Sequence, residues 1–162
     1  MEQVTSTILI NGQIEPIFDL VTTTQSWPRW HPATIGVGGV TDRPFVLGDQ
    51  IHERARIGER VYEGTWTVVE HRRPYSATLR GASGRIEIGY TFELVGEHEV
   101  RFSRMLSFYS EDFAAGLSGR QATIALMEQQ SAQALKQLKA LVEETLWQQA
   151  HNSLSSTENS QH

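Results

Sequence analysis

Apolar and polar positions change their period once along this chain. Up to about residue 109 they alternate in short runs with a period of two; from about residue 118 they recur every three or four residues. Val4, Ser6, Ile8 and Ile10 alternate with Thr5, Thr7 and Leu9 and end at Asn11-Gly12, which predicts a strand and a turn. Residues 16–21 predict a short helix with Pro16 near its first turn. A second short helix, capped by Thr23 or Thr24, is expected to run through Trp30 and stop at Pro32. Strands are predicted near 34–40, 48–57, 60–71, 75–81, 84–95 and 98–109, separated by Gly, Pro or Asp clusters. Their close spacing favours antiparallel hairpins, and the lack of helical pattern between them argues against a parallel α/β sheet. Ile124, Met127, Ser131, Leu135, Leu138, Val142 and Leu146 then form one stripe of a long helix from Ser118 to Gln148, and Ser118 with Gln121 fits a capping box. The expected class is α+β: a curved antiparallel sheet of about seven strands, two short helices after the first, and a long C-terminal helix in the concave face.

Strand parity sorts each strand into two faces. In 84–95 the inward set is Ile86, Ile88, Tyr90, Phe92 and Leu94, with Arg85, Glu87, Thr91 and Glu93 facing water. In 98–109 it is Val100, Phe102, Leu106 and Phe108, with Arg104 among them. In 48–57 it is Ile51, Ala55 and Ile57, with Glu53 among them. A lone buried charge costs several kcal/mol, so each must be paired, hydrated or used. Glu53 and Arg104 are therefore candidate pocket-lining groups. In 60–71, Tyr62, Trp66 and Val68 share a face on which the aromatics would line a cavity and offer a hydroxyl or an indole N–H. Thr123 and Ser131 put small hydroxyls on the apolar side of the long helix, beside Met127, as a cavity wall would.

Composition narrows the function classes. A length of 162 residues suits one domain, expected over 1–148, and a net charge of −5 argues against a nucleic-acid surface. No apolar run reaches the roughly 18 residues of a membrane span. Residues 1–4 lack the features of a secretory signal, and there is no Cys, so a cytoplasmic location is the expectation. The polar stretch 149–162 is expected to be a disordered tail. His52, His71 and His98 show no metal-ligand spacing, Gly36, Gly38 and Gly39 no dinucleotide fingerprint, and no GxSxG elbow occurs.

The segment Trp27-Pro28-Arg29-Trp30-His31-Pro32 places two indoles in four residues, stiffened by prolines, as a plug for one end of a cavity. Together with Phe45-Val46-Leu47-Gly48-Asp49-Gln50-Ile51, and with Trp66-Thr67-Val68-Val69-Glu70 ahead of Arg73-Pro74, it resembles the START-like SRPBCC superfamily, and within it the polyketide cyclase/dehydrase-like group. The resemblance spans roughly residues 3–148. It implies a helix-grip fold of START or Bet v 1 type around a deep hydrophobic cavity, without a cofactor in most members. Aromatic cyclases, lipid and hormone carriers and quinone-binding proteins share it. It implies no catalytic residue, because the superfamily has no universal one.

Three readings follow. The first is a binder of a small hydrophobic molecule, aromatic, polyketide-like or lipid-like, in a cavity lined by Arg104, Tyr90, Trp66, Tyr62, Trp30, Trp27, Phe102, Phe108, Thr123, Met127 and Ser131. The second is a cofactor-free cyclase or dehydratase with Glu53 or His31 moving protons and Arg104 or Tyr90 stabilising an enolate oxygen. The third is a protein-interaction module. A monomer or a homodimer is compatible with each.

Overall fold

A computed structural model describes residues 1–113 and 119–159, and side chains as far as residue 152. Strand β1 (Glu2–Asn11) is followed by α1 (Ile14–Thr22), a single 3-10 turn (Thr24–Ser26) and the four-residue α2 (Trp27–Trp30). Six strands come next: β2 (Thr34–Gly39), β3 (Gln50–Ile57), β4 (Arg60–Arg72), β5 (Ser76–Gly81), β6 (Glu87–Gly96) and β7 (Glu99–Phe108). A second 3-10 turn (Ser110–Phe113) leads toward α3 (Arg120–Asn159).

All pairings are antiparallel, in the order β1-β7-β6-β5-β4-β3-β2. The chain makes five successive hairpin neighbours from β2 to β7, and β1 closes the order on the far side of β7, from Glu2↔Phe108 to Asn11↔Glu99. The sheet curls round α3, which packs on β1, on α2 and on the 110–113 turn. The periodicity of α3 explains its seating: Thr123, Met127, Ser131, Ala134, Leu135, Leu138 and Val142 are all buried on one side. Burial of each Leu or Val there contributes about 1.5–3 kcal/mol. At the opposite end of the helix from Thr123, Gly12 turns the chain from β1 into α1 at φ 146°, and a Cβ on it would stand 2.5 Å from Leu146 Cδ1.

Parity is obeyed wherever the ladder is regular. Ile88, Tyr90 and Phe92 of β6 and Val100, Phe102, Arg104, Leu106 and Phe108 of β7 are buried, in direct register as Ile88↔Leu106, Tyr90↔Arg104 and Phe92↔Phe102. Irregularities re-aim the rest. A register shift between Val68 and Glu70 switches β4 from even to odd positions inside, so His71 rather than Glu70 lies against the Phe18 ring, at 5.6 Å.

Four expectations are corrected. Leu94 is 51% exposed, not inward: the β6–β7 ladder shifts register between Leu94 and Gly96, and the hairpin end loses its cover. The strand expected from residue 84 starts at Glu87, because 82–86 form a turn around Gly84 at φ 73°. Neither Thr23 nor Thr24 caps the start of α2: Thr23 closes the end of α1, its hydroxyl donating to Asp19 O, and the Thr24 hydroxyl donates to Val40 O. The long helix passes Gln148 and reaches Asn159, through most of the stretch read as a tail. The Ser118 end of the expected capping box lies outside the described residues. Among the described residues, no helix is long and apolar enough to cross a membrane.

Candidate functional site

A cavity of about 310 Å³ opens on the concave side of β3, β4 and β5, where the 110–113 turn passes over the sheet. Ala55, Ile57, Trp66, Ile86 and Phe113 make its apolar walls. Two absences of side chain shape it. Gly64 stands opposite Glu53 in the β3–β4 register, and none of the described residues lies within 4 Å of where its Cβ would be. Gly81, opposite Trp66, has no such room: a Cβ there would meet Ile86 Cγ2 at 2.4 Å. A glycine inside a strand often marks such a site.

Glu53 is the polar centre of this cavity. It is half-buried, and both of its carboxylate oxygens accept bonds: Oε2 from Thr34 Oγ1 at 2.6 Å, and Oε1 from Trp66 Nε1 at 3.1 Å. Tyr62 lines the same cavity, edge-on to Phe113 at 5.1 Å, and its hydroxyl is buried without a partner among the described residues. Arg85 fixes the roof, donating to both carboxylate oxygens of Asp112 at 2.8 and 3.1 Å while its guanidinium lies 4.1 Å over the Tyr109 ring.

Behind the cavity, deeper in the core, lies a second polar group. Arg104 is 6% exposed; its Nη1 donates to Ser131 Oγ at 3.0 Å and its Nε has no partner. No ion pair involving Arg104 occurs among the described residues. Tyr90, directly opposite in register, is enclosed with it. Burial pushes the Tyr90 phenol up to about 12; the guanidinium beside it opposes that rise and the Glu53 carboxylate adds to it. Tyr90 thus sits within the fields of both inward charges. His31 belongs to the same neighbourhood: burial holds its imidazole well below the ordinary histidine value, and the positive charge of Arg104 pushes in the same direction. Its Nδ1 accepts the Ala33 N–H at 3.2 Å, which fixes the ring at the end of α2.

The remaining sequence-derived candidates divide by what they touch. Tyr62, Trp66 and Glu53 line the cavity. Trp27 and Trp30 are buried, and their N–H groups are taken by Val21 O at 3.1 Å and Ser26 Oγ at 3.2 Å, so they plug the α1–α2 end without offering a donor. Phe102 packs on Phe92 at 4.9 Å, Phe108 on Phe113 at 5.9 Å, and Met127 is buried on the inner face of α3. The Thr123 hydroxyl is satisfied within its own chain by Gly119 O at 3.0 Å. Neither the two indoles nor these last four residues line the cavity. Sequence reasoning missed Thr34, Gly64 and Phe113. Gly64 carried a usable signal, since parity puts it between Tyr62 and Trp66; Thr34 did not, because a register shift after it hides which way it faces.

A seven-stranded antiparallel sheet gripping one long helix, with a walled space on its concave side, defines a helix-grip protein of START-like type. The chain matches the family model for polyketide cyclase / dehydrase and lipid transport over residues 1–143, and it belongs to that family. Among solved structures it is similar to the Zhui aromatase/cyclase from Streptomyces sp. R1128, with 13% identity, a TM-score of 0.71, and coverage of 90% of this chain and 95% of that one. It is similar to a START superfamily protein from Mycobacterium smegmatis, at 15% identity and a TM-score of 0.70 over 88% of this chain and 98% of that one. The protein TTHA0849 from Thermus thermophilus matches at 15% identity and a TM-score of 0.71, over 89% of this chain and 99% of that one. At these identities the likeness shows the fold alone. No curated protein matches the chain. Family membership supports a role in ligand binding or cyclase-type chemistry.

Proposed function

We propose that the protein binds a small, largely apolar molecule in the cavity between β3, β4, β5 and the 110–113 turn. The observation that carries this reading is the cavity itself: about 310 Å³, walled by Ala55, Ile57, Trp66, Ile86 and Phe113, with one inward carboxylate. That is the makeup of a small-molecule site, apolar walls with a few placed polar groups. Tyr62, Trp66 and Glu53 make the contacts; Arg104, Tyr90, Ser131, Phe102, Phe108 and Met127 belong to the packed core behind the cavity and do not line it.

A cyclase or dehydratase reading has one observation in its favour. Glu53 reaches the cavity while two neutral donors hold its orientation, as a proton acceptor requires. His31 does not line the cavity and has one ring nitrogen committed to backbone, which leaves Glu53 as the group for such chemistry.

Gly64 provides the test. It has open space where a side chain would go and no positive φ, so Gly64→Leu fits the fold and fills the cavity. Titration with an uncharged polarity-sensitive dye such as Nile red is expected to show saturable binding to the parent protein and at least about tenfold weaker binding to the variant. Equal binding by a folded Gly64→Leu variant would place the ligand elsewhere.

A further inference from the structure

The polar groups around the cavity are one-sided in sign. Among its described lining residues are three carboxylates, Glu53, Glu63 and Asp112, and no Lys, Arg or His. Glu63 and Asp112 are paired outward, with Arg54 at 3.0 Å and Arg85 at 2.8 Å. Glu53 differs: the groups that hold it, the Thr34 hydroxyl and the Trp66 indole, are neutral. They fix the carboxylate without cancelling its charge. A carboxylate has about four acceptor sites, and these two bonds leave capacity for more.

The Tyr62 hydroxyl adds a second unfilled demand. It is buried, has no partner among the described residues, and belongs to the same wall. A buried hydroxyl left unpaired is destabilising, and a ligand atom that pairs with it recovers that loss on binding. Arg104 lines no part of the cavity, so no cation stands in direct contact with a ligand there.

We infer that the cavity selects uncharged molecules that carry an O–H or N–H donor on an apolar ring system, phenols being the simplest class, and that it discriminates against carboxylates. The donor goes to Glu53, and the phenolic oxygen accepts from Tyr62 O–H. An anion set against Glu53 in a space less polar than water is repelled, so a carboxylate ligand loses more than a neutral one lacking the donor. The inference rests on the ligand-binding reading and specifies its substrate class.

Three matched probes test it: naphthol, its methyl ether and naphthoate, titrated against the intact protein at neutral pH by calorimetry. The expected order is naphthol about tenfold tighter than the ether, with naphthoate weakest. Glu53→Gln should narrow the gap between naphthol and naphthoate, since an amide carries no charge and offers a donor of its own. Glu53 also holds Thr34 and Trp66, so Tyr62→Phe is the companion variant: it deletes a hydroxyl with no partner among the described residues. It should stay folded and weaken naphthol several-fold while leaving the ether unchanged. Equal binding of all three probes, or naphthoate tightest, overturns the inference and leaves ligand binding standing. Binding of none of them removes the ligand-binding reading and this inference together.

Discussion

The two ends of the grip solve opposite problems. At the α1–α2 end, Phe18, Val21, Trp27, Trp30 and Phe45 are essentially inaccessible, and both indole N–H groups have partners within the chain. At the other end, β3, β4 and β5 carry Gly64 and Gly81 on the inner face, Glu53 has acceptor capacity to spare, and the Tyr62 hydroxyl has no partner among the described residues. At the plugged end the buried indoles have their hydrogen bonds made, and the free space, about 690 Å³, lies outside them among Pro16, Leu20, Ser26, Arg29, Pro44 and Leu146. At the other end the free space lies against the inner strand faces themselves. On the proposed reading, stability and recognition are kept apart: a ligand at the open end would repair local deficits without disturbing the plug.

The sharpest way to break that comparison is at the plug. Trp30→Ala should cost about 3–5 kcal/mol of folding stability, measured by urea denaturation, because a fully buried indole leaves a large void. A loss below about 1 kcal/mol would mean that this end collapses easily and is not the stable half.

A smaller effect is expected midway between the ends. Ser131→Ala removes the hydroxyl that accepts from Arg104 Nη1, so that buried donor loses its partner at a cost of about 1–3 kcal/mol. Arg104→Met, which takes the charge away altogether, should be near neutral or stabilising, and the double variant should not add the two losses. Simple additivity in a double-mutant cycle would show that the pair is not coupled.

The mildest test is pH. His31 is held below its ordinary value in the folded protein, so between that depressed value and 6.5 the unfolded chain binds a proton that the folded chain refuses. Stability therefore falls as pH drops below about 6.5, and His31→Gln should flatten that slope. A series of denaturation midpoints from neutral pH to about pH 5 measures it; identical slopes in both proteins would detach His31 from the Arg104 neighbourhood.

Much of the fold was legible because two periodicities do not overlap. The stripe from Met127 to Val142 has no reading other than a helix face, and the Ile88, Tyr90, Phe92 series none other than a strand face. Arg104 and Glu53 were visible for the same reason, as charges that break a regular apolar set. What stayed hidden depends on curvature and on local slips. Leu94 obeys the alternation but lies beyond the sheet's cover, and His71 faces inward only because the ladder shifts at Val69. Which end of the grip would be open could not be read either. That depends on Phe113 lying over a sheet region thinned by Gly64, and residues about fifty apart in sequence announce no such meeting.

Gly12 has one more consequence. Its close approach to Leu146 acts as an end-stop on α3, and the Arg104–Ser131 bond acts as a pin fifteen residues back along the same helix, roughly 22 Å away. Two such points fix the lengthwise setting of a rod that smooth apolar packing alone would let slide. A slip of one turn, about 5.4 Å, would strand the guanidinium and drive Leu146 off its stop at once. The long helix is thus indexed as well as gripped, and a larger residue at position 12 would strain a backbone held at φ 146° and push on the end of the Leu146 side chain.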